Sequence, residues 1–309
     1  MRKWLLVLTL ISMVAFAGTV YAQDGSLAGE NKDGVNRAMW VWDFDSSVST
    51  EQNRNDLIQF SKQHNINLLV VYTGSLVTTY PDAFEALIRT AHKNKIRVYG
   101  LDGDPYWALE SNHPYALQPV QNVMDYNKTH PLAKFDGFQH DIEPFGMPDF
   151  FDNVQSYGSQ FLDVLKQCED LVHADKDMIF EVAIPFWYAT AEPAPISLTY
   201  NGVEKPLDHH ILDIVDSVAI MSYRDNAEAQ IEVSQHDVDY AATVGKKAYV
   251  GAETTTPEGT GLPPFITYYD EGLKYMEGQF KLIDKYYKDH PGYAGIAVEW
   301  YNTYRTMPK

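Results

Sequence analysis

From Arg37 onward, short apolar runs alternate with longer stretches of helical period. The apolar runs are Met39–Phe44, Ile66–Thr73, Ile96–Leu101, Phe135–Glu143, Met178–Pro185, Ser217–Tyr223, Lys247–Glu253 and Tyr293–Trp300. They are rich in Val, Ile and aromatic residues with little polar alternation, as in strands buried on both faces. Between them, Glu51–His64 carries Leu57, Ile58 and Phe60, and Asp82–Lys95 carries Phe84, Leu87, Ile88 and Ala91, both at helical spacing. Longer helical stretches cover Asn153–Ala174, Ala227–Val244 and Tyr268–Tyr287. Strand and helix alternating in this way predict an α/β fold, a (β/α)8 TIM barrel, occupying residues 37–309 as one domain. An open doubly wound sheet is the competing topology, but no Gly-rich phosphate loop follows the first strand to favour it. Nine residues follow Trp300, too few for a full eighth helix. The barrel is therefore expected either to be bare there or to be closed by the segment before Arg37.

Residues 1–22 have the pattern of a secretory signal peptide. Arg2 and Lys3 are followed by the mostly apolar Trp4–Phe16, and Val20-Tyr21-Ala22 supplies a small-x-small cleavage site before Gln23. A membrane anchor is the alternative, but the apolar run is short for a bilayer and no Lys/Arg cluster follows it. The expectation is a secreted or periplasmic protein with no membrane insertion after cleavage. Residues 23–36 are polar and contain three glycines, which suits a tether. The formal charge is −18, and −20 once the leader and its two cations are removed. Such a balance argues against nucleic acid and anionic membranes as partners and suits a neutral or basic substrate. Cys168 is the only cysteine, so no internal disulfide forms, and its spacing with Phe161, Leu165, Leu171 and Val172 places it in a helical core. Asn127-Lys128-Thr129 matches the N-glycosylation triplet.

In a barrel of this class the C-terminal strand ends build the active site. Here they read Trp40-Val41-Trp42-Asp43, Leu101-Asp102-Gly103-Asp104, Gln139-His140-Asp141-Ile142-Glu143, Pro185-Phe186-Trp187-Tyr188, Met221-Ser222-Tyr223-Arg224, Gly251-Ala252-Glu253 and Glu299-Trp300-Tyr301. Carboxylates mixed with flat aromatics suit sugar chemistry. Rings stack on pyranose faces, and cleavage of a glycosidic bond needs a protonated carboxyl beside the leaving oxygen plus a second group to stabilise the cationic centre. Side chains alternate along a strand, so Gln139, Asp141 and Glu143 share one face. Two neighbouring acids do not both ionise cheaply, which makes Glu143 the candidate general acid. The structural alternative is a pair of acids bonded to Lys or Arg.

Asp136-Gly137-Phe138-Gln139-His140-Asp141-Ile142-Glu143 resembles the fourth strand of the chitinase-like family 18 glycoside hydrolases, D-G-x-D-x-D-x-E. Gln139 stands where that family has its first inner aspartate. Met221-Ser222-Tyr223 resembles the strand-six M-x-Y-D, with Arg224 in place of the aspartate, and Trp300 falls at the strand-eight tryptophan. The strand-three S-x-G-G has no clear counterpart in Tyr99–Gly103. The resemblance implies that Glu143 protonates the glycosidic oxygen and later activates water. It further implies that Asp141 orients a substrate N-acetyl group acting as internal nucleophile, that Tyr223 bonds this acetamide, and that Trp300 floors the subsite. Trp42, Gln139, Asp102, Trp187, Glu253 and Met221 are the further candidates for contact with an oligosaccharide or polysaccharide. No cofactor is implied.

Three alternatives stay open. Glu143 and Glu253 occupy the strand-four and strand-seven stations of the acid and nucleophile in many retaining barrel glycosidases. A barrel that binds sugar without cleaving it would use the same aromatics. A metal-dependent hydrolase would draw on His140, Asp141, Glu143, His209 and His210. Yet His140 alternates away from the two acids, and none of these histidines stands in an H-x-x-x-H or H-x-D spacing. Ser-His-Asp chemistry lacks its G-x-S-x-G elbow.

Overall fold

The computed structural model describes residues 36–191 and 194–309. The predicted leader, and all of the tether except Asn36, lie outside the described residues. Eight parallel strands close into a barrel in chain order. They are β1 (Asn36–Val41), β2 (Leu68–Tyr72), β3 (Arg97–Asp102), β4 (Gly137–His140), β5 (Ile179–Pro185), β6 (Ser217–Met221), β7 (Lys247–Glu253) and β8 (Tyr293–Glu299). The helices outside are α1 (Glu51–Gln63), α2 (Pro81–Lys93), α3 (His113–Thr129), α4 (Val154–Val172), α5 (Leu207–Ile214), α6 (Ala227–Thr243), α7 (Leu273–Tyr286) and the single turn α8 (Tyr301–Tyr304). No described helix is long and apolar enough to cross a membrane. The strands coincide with the apolar runs, although β4 ends at His140 and leaves Asp141 to Glu143 on the loop above it.

Alternation sorts each strand into two cores. Outward residues such as Val41, Val71, Val98, Phe138 and Val250 pack under the helices, and Cys168 of α4 is buried among them. Inward residues, including Trp40, Val70, Tyr99, Leu101 and Tyr249, fill the barrel. One inner level is polar. The Trp40 indole N–H donates to Gln139, Gln139 donates to Glu181 at 2.6 Å, and the Ser217 hydroxyl donates to the same carboxyl. Gln139, Glu181 and Ser217 are register partners on three adjacent strands, so this belt follows from strand pairing.

Two helices and a hairpin escape the periodicity. α3 contains Pro119 within it, which argues against a helix when read locally, whereas Pro114 in its first turn is compatible with a helix start. α5 is a short helix of 8 residues. The hairpin pairs Ser197–Tyr200 with Val203–Pro206. Its strands are largely exposed, leaving Asn201-Gly202, both at positive φ, as its only signal. Asn127 is 4% exposed and exchanges side-chain hydrogen bonds with the Phe135 backbone, so the triplet there is structural rather than an acceptor for glycan.

The missing eighth helix is replaced from within the described chain. The α8 turn sets Tyr301 and Tyr304 edge-on to Phe60 of α1, with ring centroids 5.4 and 5.0 Å apart. The Tyr304 hydroxyl donates to Glu277 of α7 at 2.6 Å. Arg37 at the start of β1 lies over Phe280 and pairs with Glu277 at 3.3 Å and Asp284 at 3.1 Å. Among the described residues the gap is therefore not bare, and the alternative that the tether closes it falls on residues outside those described.

Among the described residues, removing that cation leaves Glu277 with His64 and the Tyr304 hydroxyl, and Asp284 with the Tyr293 hydroxyl alone, as partners for two mostly buried carboxyls. Arg37→Ala is expected to cost about 2–3 kcal/mol, somewhat less than a fully buried pair. Arg37→Met, which keeps the contact with Phe280, is expected to lose nearly as much. Thermal unfolding of both variants measures the charge contribution apart from the packing.

Candidate active site

Above the polar belt, the next inward level opens at the barrel mouth. β4 delivers Asp141 there because the Asp141 N–H donates to the Asp102 carbonyl at 3.0 Å, extending the β3–β4 pairing past the strand end. That approach needs Gly103, where a Cβ would lie 2.0 Å from the Asp141 carbonyl oxygen. Glu143 follows two residues later on the same side. β7 and β8 place Glu253 and Glu299 directly opposite each other in register. Glu253 accepts from the Thr254 and Thr255 backbone N–H groups at 2.8 and 2.7 Å, and Glu299 accepts from the Trp42 indole at 3.0 Å.

The four carboxyls form one electrostatic unit. Burial and then the Glu143 charge push Asp141 up to about 7. Burial also raises Glu143 and Glu253. Glu299 is held far above the ordinary carboxylate range by burial and then by the charges of Glu253, Asp141 and Glu143. Tyr223 is raised by burial and by the same four acids, which keeps its hydroxyl protonated as a donor. Among the described residues, no Lys, Arg or His forms a salt bridge with any of the four. The alternative of acids neutralised by a basic side chain is therefore not what the fold builds. One oxygen of Asp141, Oδ1, is buried and receives no hydrogen bond.

The other expected residues divide between mouth and surroundings. Trp42 and Trp300 pack against the inner core at the mouth, and the Glu299–Trp300 peptide is cis. Met221 ends β6, one alternation above the inward Ala219. Trp187 stands in an aromatic group with Phe145, Phe151 and Tyr188. Tyr188 feels the charge of Glu143, which sets this group beside the acid. Two candidates stand apart from the four acids. Gln139 is completely buried in the belt beneath the mouth, hydrogen-bonded to Trp40 and Glu181. Asp102 alternates away from the inward Leu101. Its carboxyl accepts from Gly103 and neighbours Tyr72 and Gly74 on the β2–β3 rim, with burial and then Asp104 pushing it up to about 6.

Arg224 does not reach the acids. It donates to the Tyr223 carbonyl at 2.7 Å and lies over Phe186 and Phe265, 4.6 and 6.0 Å from their ring centroids. His140 sits in the strand–helix layer, with Nδ1 3.1 Å from the Asp102 carbonyl and Nε2 3.4 Å from Cys168. Glu299 was not singled out by the sequence, although it precedes Trp300. Its signal is the register across β7 and β8, which only the closed barrel supplies.

No family model matches the chain, and no curated protein does. Solved structures do. A glycoside hydrolase family 18 chitinase from Pseudoalteromonas aurantia superposes with TM-score 0.56 at 12% identity, covering 86% of this chain and 94% of its own. The family 18 chitinase of Cycas revoluta in complex with (GlcNAc)3 gives 0.54 at 10% identity over 86% and 94%. The Bacillus cereus spore cortex-lytic enzyme SleL gives 0.52 at 10% identity over 87% and 71%. The fold is a family 18 chitinase-like TIM barrel.

Carboxyls raised above their unfolded values hold extra protons in the native state. Their contribution to stability is complete below the unfolded pKa near 4 and is lost as pH rises through the folded value, about 7 for Asp141. Thermal melts between pH 5 and 8.5 are expected to show the wild-type midpoint falling with pH. In Asp141→Asn the fall is shallower, and equal slopes in both proteins would refute the shared-proton account.

Proposed function

We propose that this chain is an exported glycoside hydrolase that cleaves an N-acetylated glycan with retention, using the substrate's own acetamide as nucleophile. The observation that carries the proposal is Asp141. It stands two residues from Glu143 at the mouth, its carboxyl pushed up to about 7 by burial and then by the Glu143 charge, so that the pair retains a proton near neutral pH with no basic side chain among the described residues to neutralise it. The fold likeness adds support, since the Cycas revoluta chitinase is in complex with (GlcNAc)3.

The steps follow from the four groups. Glu143, which burial raises, gives the proton retained by the Asp141–Glu143 pair to the glycosidic oxygen as the C1–O bond breaks. The acetamide carbonyl oxygen bonds to C1, and Asp141 accepts the N–H as positive charge develops on that group. The Tyr223 hydroxyl donates toward the same acetamide. Glu143, now a carboxylate, takes a proton from the water that attacks C1, which releases the carbonyl oxygen and restores the acid. Trp300 and Trp42 line the sugar's apolar face. The predicted leader would carry the barrel to an extracellular or periplasmic glycan.

Direct displacement by Glu253 is the weaker scheme. A carboxyl nucleophile must be ionised, whereas burial raises Glu253, and one of its oxygens is occupied by two backbone N–H groups.

Mass spectrometry of a panel of N-acetylated oligosaccharides tests the proposal. Wild type is expected to yield shortened products and Glu143→Gln to lose about 10²–10⁴-fold in turnover. The rate is expected to fall about tenfold per pH unit above roughly pH 7, as the Asp141–Glu143 pair gives up its retained proton. Saturable binding by both proteins without products would instead indicate a sugar-binding barrel.

A further inference from the structure

Away from the mouth, α5 and α6 pack with two adjacent polar residues on each: Asp208 and His209 on α5, His236 and Asp237 on α6. The inner pair, Asp208 and Asp237, is completely buried. Among the described residues, no side chain outside the pair hydrogen-bonds to either carboxyl, and Asp237 is held far above the ordinary carboxylate range by burial, by the Asp208 charge and by a hydrogen bond with Asp208. The outer pair turns its Nε2 atoms toward each other at 2.7 Å. The Tyr240 ring lies parallel to His209 with centroids 3.5 Å apart, which fixes that imidazole. Lys205 is the nearby cation, but it is engaged with Asp213 and the Tyr240 hydroxyl. One ligand atom each from Asp208, His209 and His236 lies within 4.8 Å of the other two.

Buried carboxylates in proteins are paired, protonated or bound to metal. Here Asp237 carries the proton of the buried pair, no Lys or Arg among the described residues forms a salt bridge with Asp208, and two imidazole nitrogens face the same space. We propose that Asp208, His209 and His236 bind one divalent cation of the zinc class, clamping α5 to α6. Two nitrogens and one carboxylate oxygen form a borderline donor set of the kind zinc accepts, with water completing four-coordination. A tetrahedral zinc with Zn–N bonds of about 2.0 Å holds two nitrogens about 3.3 Å apart. That requires the two rings to open slightly. His236 is exposed, so its ring has room to turn and the ion has a path in from solvent. The site lies on the outer helix layer and is separate from the proposed sugar chemistry.

The test uses tag-free mature protein, stripped with chelator and dialysed, then titrated with zinc sulfate by calorimetry, with bound metal counted by mass spectrometry. The expected result is one equivalent per chain and a higher unfolding midpoint in zinc. His236→Ala, a change at an exposed side chain, is expected to weaken binding at least about hundredfold. Asp208→Asn is expected to weaken it as well. His92→Ala, which alters a histidine paired with Asp136 on another face, is expected to bind as wild type does. Absence of saturable uptake by wild type would overturn the proposal and leave a hydrogen-bonded histidine pair only. Equal uptake by wild type and His236→Ala would overturn it too, since the ion would then sit elsewhere.

Discussion

Everything at the mouth depends on the combination of two-residue alternation with fixed parallel register. Each strand sends every second side chain inward, and closure forbids any strand from slipping to relieve crowding. Glu253 and Glu299 are therefore neighbours by construction, and Asp141 arrives one alternation above Gln139. In water four such groups would ionise and separate. Inside a closed ring they keep protons instead, because burial penalises each charge and each charge penalises the next.

The polar belt below explains how the mouth tolerates its two departures from the family 18 pattern. Gln139 replaces an aspartate, yet its amide donates to Glu181, its register partner on β5. A carboxyl is thus retained in the belt, displaced by one strand. The amide also accepts from Trp40, so one neutral side chain links β1 to β5 across the barrel. Arg224 replaces the strand-six aspartate without bringing a positive charge to the acids. Phe186 and Phe265 hold its guanidinium, and the Tyr223 carbonyl accepts a hydrogen bond from it. Had it turned inward, it would have ionised the acid pair and removed the proton that a general acid must carry.

What the sequence discloses tracks how local each signal is. Eight doubly buried strands announce themselves by composition, and Asp141 and Glu143 by spacing within one strand end. Signals that cross strands stay hidden. Glu299 matters because Glu253 stands beside it, and Asp102 reads as a mouth residue until alternation from Leu101 turns it to the rim. Local rules also mislead where packing overrides them. α3 forms despite Pro119, which is buried within it along with Val120 and Val123. The eighth helix looks absent because its place is taken by a four-residue turn whose tyrosines pack on Phe60, a contact across most of the chain.

The same crowding links catalysis to stability through a single proton inventory. A general acid works near neutral pH only if its environment resists ionisation, and the resistance here comes from burial shared among four carboxyls. The proton that favours folding is thus of the same kind as the one transferred in the proposed reaction. Relieving the crowding with a basic residue would stabilise the ionised acids and leave Glu143 without a proton to give. Replacing a member with an amide would stabilise the barrel at high pH but remove a participant. In the proposed reaction a ligand offers a third way, because an acetamide N–H donating to Asp141 favours its carboxylate and leaves the pair's proton with Glu143.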